Sequence, residues 1–175
     1  MALSAYSSDF GVALRLFDES FNAYAVASIT HTPSDGQTRL FIAARDGAVT
    51  IYNFARTVEG LKGTPFVGCP TVSAHVDHDQ LRVSRKLLRD GFPDFAPIRH
   101  AVSHAAELRE EGTKHQAEAV IGDVFPVLQA TPWGNMRTKM TLRGVLQDRK
   151  FISTFDGRFR TYDVTADTLT RLGGC

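Results

Sequence analysis

At 175 residues, with 43% hydrophobic and 22% charged side chains, the chain is sized for one domain with a real core. A formal net charge of +1 excludes bulk electrostatic attraction as a source of tight nucleic-acid binding, so any such contact needs a local patch. No apolar run is long enough to span a bilayer, Met1–Tyr6 lacks a basic-then-apolar leader pattern, and Cys69 and Cys175 alone cannot build a metal site. The expectation is a reduced, cytoplasmic protein with no membrane association and no cofactor.

The first helical signal runs from about Asp9 to His31. Phe10, Leu14, Phe17, Phe21 and Tyr24 recur in steps of four and three, and Ser8 or Asp9 is placed to cap the start. Thr32-Pro33-Ser34-Asp35-Gly36 breaks it. A second helix spans about Gln37 to Leu61, with Leu40, Ala44, Gly47, Ile51, Phe54, Val58 and Leu61 on the same rhythm. Small Ala43, Ala44, Gly47 and Ala48 near its middle allow close approach of another helix. Two long helices with matching periods and a short break predict an antiparallel pair.

A third helix is expected over Val76–Asp90, with Leu81, Leu88 and either Ser84 or Arg85 inward. A fourth runs from about Asp94 to Glu111, where Gly112 stops it. Lys114–Gln129 predicts a weaker fifth, compromised by Gly122 and Pro126. After Thr131-Pro132-Trp133-Gly134-Asn135 the period becomes alternating. Met140, Leu142 and Leu146 suggest one strand, Phe151, Ser153 and Phe155 a second, and Phe159, Thr161 and Asp163 a third. Asp156-Gly157 between the last two is a preferred pair for a tight hairpin turn. The reading is therefore mainly α, a helical bundle over 1–131 with a small antiparallel β-meander over 132–175, in one domain.

The chemistry concentrates in Arg99-His100-Ala101-Val102-Ser103-His104, which opens the fourth helix. On a helical wheel Ile98, Val102 and Ala105 form one arc with Ala101 and Leu108, while Arg99, His100, Ser103, His104 and Glu107 share the other. His100 and His104 are i, i+4 neighbours, and the long stem of Arg99 can bring its guanidinium to the same patch. Arg and His together suit a phosphate: the fork binds the oxygens and imidazole moves protons near neutral pH.

Arg99-His100-x-x-x-His104 resembles the signature of HEPN-like domains, an Arg followed by a polar residue and then a His, here with four residues between Arg99 and His104. That motif sits on a late helix of a four- or five-helix up-and-down bundle after two long antiparallel helices, an order similar to the one read here over roughly Asp9–Gln129. The likeness in residue identity covers the hexad alone. It implies a metal-independent endoribonuclease working as a homodimer, with Arg99 and His104 the catalytic pair and His100 the polar residue beside the Arg. Imidazole takes the proton of a ribose 2′-hydroxyl, which attacks the adjacent phosphate, and the guanidinium offsets the growing charge. Ser103 or His100 would orient the phosphate, with Glu107 and Asp46 as supporting groups. Many members of the family lack activity, so the alternative is a non-catalytic module that binds a protein partner, a nucleotide or RNA through the same patch.

Other readings compete for these and nearby residues. Arg99 can simply pair with Glu107 or Asp94 on the surface. His75, Asp77, His78 and Asp79 with His100 and His104 offer Zn²⁺-type ligands. Arg99 would repel a cation, however, and Asp77 or Asp79 has a plain role as helix cap, so a site without metal is the expectation. His31 and His115 stand alone near helix ends. Arg45-Asp46-Gly47 reads as a close helix crossing with the charges outward, with Asp46 a candidate to orient a His and Tyr52 and Asn53 bordering the site if the second and fourth helices pack. Trp133 is expected to pack at the bundle–meander junction, the alternative being an exposed ring that stacks a base. Arg149, Lys150, Arg158 and Arg160 form a modest basic strip, read as sheet-edge protection.

Overall fold

The computed structural model describes residues 2–30, 35–61, 70–74, 76–103 and 114–175. Two amphipathic helices dominate it: α1 (Ala2–Thr30) and α2 (Gly36–Gly60). They pack as a hairpin, burying Phe10, Ala13, Leu14 and Phe17 from α1 and Leu40, Ala44, Ala48, Ile51, Phe54 and Val58 from α2. These are the predicted stripes, with two corrections. Helix α1 already begins at Ala2, so Ser8 and Asp9 are interior residues and not caps; the Ala- and Leu-containing first turn favours helix on its own. The stripe also fades after Phe17: Phe21 stacks on it at 6.1 Å, half-buried, and Tyr24 is exposed.

A one-turn helix α3 (Pro70–Ser73) precedes α4 (His78–Gly91). Asp77 caps α4, its carboxylate accepting from the amides of Asp79 and Gln80. Leu88 is its fully buried residue. Arg85 reaches back to α2, donating from Nε to the Val58 carbonyl and from Nη2 to that of Glu59, both at 3.3 Å. The guanidinium thus satisfies carbonyls that the last turn of α2 leaves open.

Helix α5 (Phe95–Ser103) follows a turn closed by the Phe95 amide on the Phe92 carbonyl. Pro97 lies in its first turn, where a missing amide hydrogen costs nothing. Residues 104–113, and with them the rest of the expected fourth helix, fall outside the described residues.

The expected fifth helix is instead strand β1 (Ala117–Val120), the single turn α6 (Ile121–Val124) and a 3-10 turn, Pro126–Leu128. Gly122 gives the physical reason. A side chain there would meet the Gly134 carbonyl at 2.9 Å, and its amide donates to that same oxygen, so this glycine serves a close backbone approach that a continuous helix would forbid. The strand expected from Met140 to Leu146 is likewise two: β2 (Arg137–Met140), antiparallel to β1, and β3 (Arg143–Gln147), antiparallel to β4 (Lys150–Phe155). A register shift at Gly144, with φ +86°, bends β3. Beyond the shift the Leu142 carbonyl receives the Thr154 amide and the Ser153 hydroxyl.

β4 is the central strand of the order β3-β4-β5, with β5 spanning Arg158–Asp163. Its Phe151, Ile152, Ser153 and Thr154 are all buried, so both faces are covered. The Asp156-Gly157 turn forms as predicted, with φ +54° and +73° in the pattern of a type I′ hairpin. A second two-residue turn at Asp148-Arg149, with φ +54° at Asp148, was not anticipated. Nor was α7 (Ala166–Gly174), capped by Thr165 and burying Thr168 and Leu172.

The chain is therefore mainly helical with a small antiparallel β-meander towards its C-terminal end. It resolves into two compact units, Met1–Phe95 with Val164–Cys175, and Ala96–Asp163. Among the described residues no helix is long and apolar enough to cross a membrane. Trp133 does not pack at a junction: it is 63% exposed.

Candidate functional site

The second unit carries the Arg–His run. On α5, Ile98 and Ala101 are buried, Arg99 and Val102 half-buried, and His100 and Ser103 exposed. The helical period thus sorts the apolar from the polar positions as the wheel predicts, with Val102 less deeply placed than Ile98. Arg99, His100 and Ser103 lie within little more than one helical turn. His104 and Glu107, the other members of the predicted patch, lie outside the described residues. Asp46 belongs to the other unit, exposed on α2 beside exposed Arg45 and buried Gly47, the arrangement expected of a small residue at a helix contact. Tyr52 is half-buried and tilts against Phe95 at 6.2 Å, while Asn53 is exposed.

His100 does not project alone. Its ring lies nearly parallel to Phe155, the last residue of β4, with centroids 5.8 Å apart and planes 16° from parallel. Phe155 also stacks with His115, at 5.0 Å and 20°. His115 is 4% exposed, and its Nδ1 accepts from the Asp156 amide at 3.1 Å. With Nδ1 as acceptor, the neutral ring carries its proton on Nε2. One hairpin tip therefore fixes both rings: the type I′ turn aims the Asp156 amide at His115, and Phe155 just before it supplies the aromatic surface.

The reading of His115 as an isolated residue near a helix end is thereby corrected. It precedes a strand, buried two residues before buried Ala117. That two-residue alternation is the signal in the sequence that could have found it, hidden there by the expectation of a helix.

Of the residues considered for a metal, Asp77 is engaged as the α4 cap, and His75 and His104 are outside the described residues. Among the described residues no three His, Cys, Asp or Glu side chains gather around one point. Cys175 is a free thiol that donates to the Arg171 carbonyl, and burial pushes its pKa above the usual 9.0.

The described part of α5 thus sets a half-buried guanidinium, an imidazole stacked on Phe155 and a hydroxyl within little more than one helical turn. No family model matches the chain, and no curated protein or solved structure is significantly similar to it.

Proposed function

We propose that this chain is a cytoplasmic, HEPN-like, metal-independent endoribonuclease that acts as a homodimer, with Arg99 and His104 as its catalytic pair. The observation that carries the reading is the polar face of α5: Arg99, His100 and Ser103 reach the surface together while Ile98 and Ala101 are buried. His104 continues the same i, i+4 row in the sequence.

In this reaction His104 takes the proton of a ribose 2′-hydroxyl, and the oxygen attacks the neighbouring phosphorus. The bond to the 5′-oxygen breaks, and that oxygen receives a proton from the second copy's imidazole. The products are a 2′,3′-cyclic phosphate and a 5′-hydroxyl. Arg99 binds the phosphate and offsets charge that grows as the bond forms. Ser103 orients the phosphate. His100 faces Phe155, which suits a positioning role better than a proton-transfer one.

The test is cleavage of a labelled structured RNA in excess EDTA. Wild type should leave 2′,3′-cyclic ends, and Arg99→Ala and His104→Ala should each lose activity by about 100-fold or more with folding intact. Intact RNA across a broad panel would sink the enzyme reading and leave a non-catalytic binding module using the same face.

A further inference from the structure

The chain has one tryptophan, and it stands in the open. Trp133 is 63% exposed, yet the backbone that carries it is fixed on both sides. The Thr131 amide and hydroxyl both bond to the Leu128 carbonyl, the Gly134 amide to the Thr131 carbonyl, and the Met136 amide to the Trp133 carbonyl. The whole turn is strapped to α6, because the Ile121 amide bonds to the Met136 carbonyl and the Gly122 amide to that of Gly134. Gly134 has no room for a side chain, since a Cβ would lie 2.5 Å from two carbonyl oxygens. A large ring on a rigid mount loses little entropy when something stacks on it.

The chain that follows the ring is rich in cations, although Glu118 of β1 lies opposite Lys139 in the ladder. Residues 137–160 hold seven Arg or Lys against two carboxylates, Asp148 and Asp156, in a chain whose net charge is +1. Arg137 and Lys139 follow the ring on β2, exposed on alternate positions and so on one face of the strand. Arg137 is paired loosely with Glu118 at 3.5 Å, an exposed contact that a phosphate can replace. A protein partner would call for a wider apolar patch. Among the described residues of this unit the large exposed apolar side chains are Trp133 and Met136.

The geometry points to a platform for single-stranded RNA: one base stacks on Trp133 while the flanking phosphates meet Arg137 and Lys139. Isolated aromatic rings among cations are how strands are held without sequence preference. The inference rests on the ribonuclease reading for RNA as the substrate, and adds that the RNA is engaged as a single strand.

Because Trp133 is the sole tryptophan, its own fluorescence reports the contact. Titration with a 2′-O-methylated oligouridine, which cannot be cut through a 2′-hydroxyl, should quench it saturably. Anisotropy of the same labelled oligomer should show binding about tenfold or more weaker in Trp133→Ala, with Trp133→Phe in between. Arg137→Ala and Lys139→Ala should each reduce the slope of log affinity against log salt by roughly 0.7. The exposed ring is dispensable for folding, so an unchanged melting temperature accompanies these losses. Absence of quenching at low salt, or equal affinity in Trp133→Ala, would overturn the platform. Binding without any RNA cleavage would support it while removing the ribonuclease reading.

Discussion

Two glycines show how differently the same substitution acts at residue scale. At Gly134 a methyl group would meet the carbonyl oxygens of Leu128 and Gln129 at 2.5 Å, and both belong to backbone that cannot swing aside. Gly134→Ala should therefore cost more than about 2 kcal/mol and loosen the Trp133 turn. Gly60, the last residue of α2, has nothing within 4 Å of the corresponding position. Gly60→Ala should leave stability unchanged or raise it by up to about 1 kcal/mol, because alanine loses less backbone freedom in a helix. Urea midpoints of the two variants, measured with unchanged m values, decide both. An equal response would mean that space around the glycine is not what matters.

At the scale of elements, side-chain caps mark where α4 and α7 begin. Asp77 accepts two amides at the start of α4, and Thr165 accepts the Thr168 amide at the start of α7. Asp77→Ala and Thr165→Ala should each destabilise by about 1 kcal/mol, while Asp77→Asn keeps most of the bond. Thermal unfolding of the three variants tests this, and a loss in Asp77→Asn as large as in Asp77→Ala would point to charge and not capping. The α1–α2 hairpin was legible in the sequence because its burial repeats over many turns, as Phe10, Leu14 and Phe17 or Leu40, Ile51, Phe54 and Val58 show. The Asp156-Gly157 turn was legible because that pair fits positive φ. The segment 114–129 was not, since its order comes from distant backbone, as when Gly122 bonds to Gly134. Helix α7 was also missed: nine residues give too few turns to show a period, and its burial depends on partners far along the chain. For the site, the Arg99–Ser103 face was readable from helical spacing. The His115–Phe155–His100 arrangement joins residues 15 to 55 positions apart in the chain, and no local pattern announces their stacking.

Across the whole molecule, charge and chain order are both unevenly distributed. A net charge of +1 hides the concentration of cations in 137–160, where seven Arg or Lys stand against two carboxylates. The first unit is also discontinuous: Val164–Cys175 returns to it after the second unit is complete. Helix α7 packs with α1 and α4, placing Leu169 near Gly11 and Arg171 near Gly91. Val164 and Leu172 are 0% and 1% exposed, worth about 3–5 kcal/mol together, a large share of a typical domain's stability. A chain stopped after Asp163 should lose cooperative unfolding of the long helices, read by circular dichroism at 222 nm. A sharp transition at the wild-type temperature would show that the hairpin stands without α7. In vectorial synthesis the same arrangement imposes a delay. The α1–α2 hairpin leaves the ribosome early, but the α1 surface that α7 covers stays wet until α7 itself has been made. At about 5–20 residues per second, the stretch from Gly60 to Leu172 takes roughly 6 to 22 seconds. The protein's apolar surface is thus most vulnerable while it is still being translated.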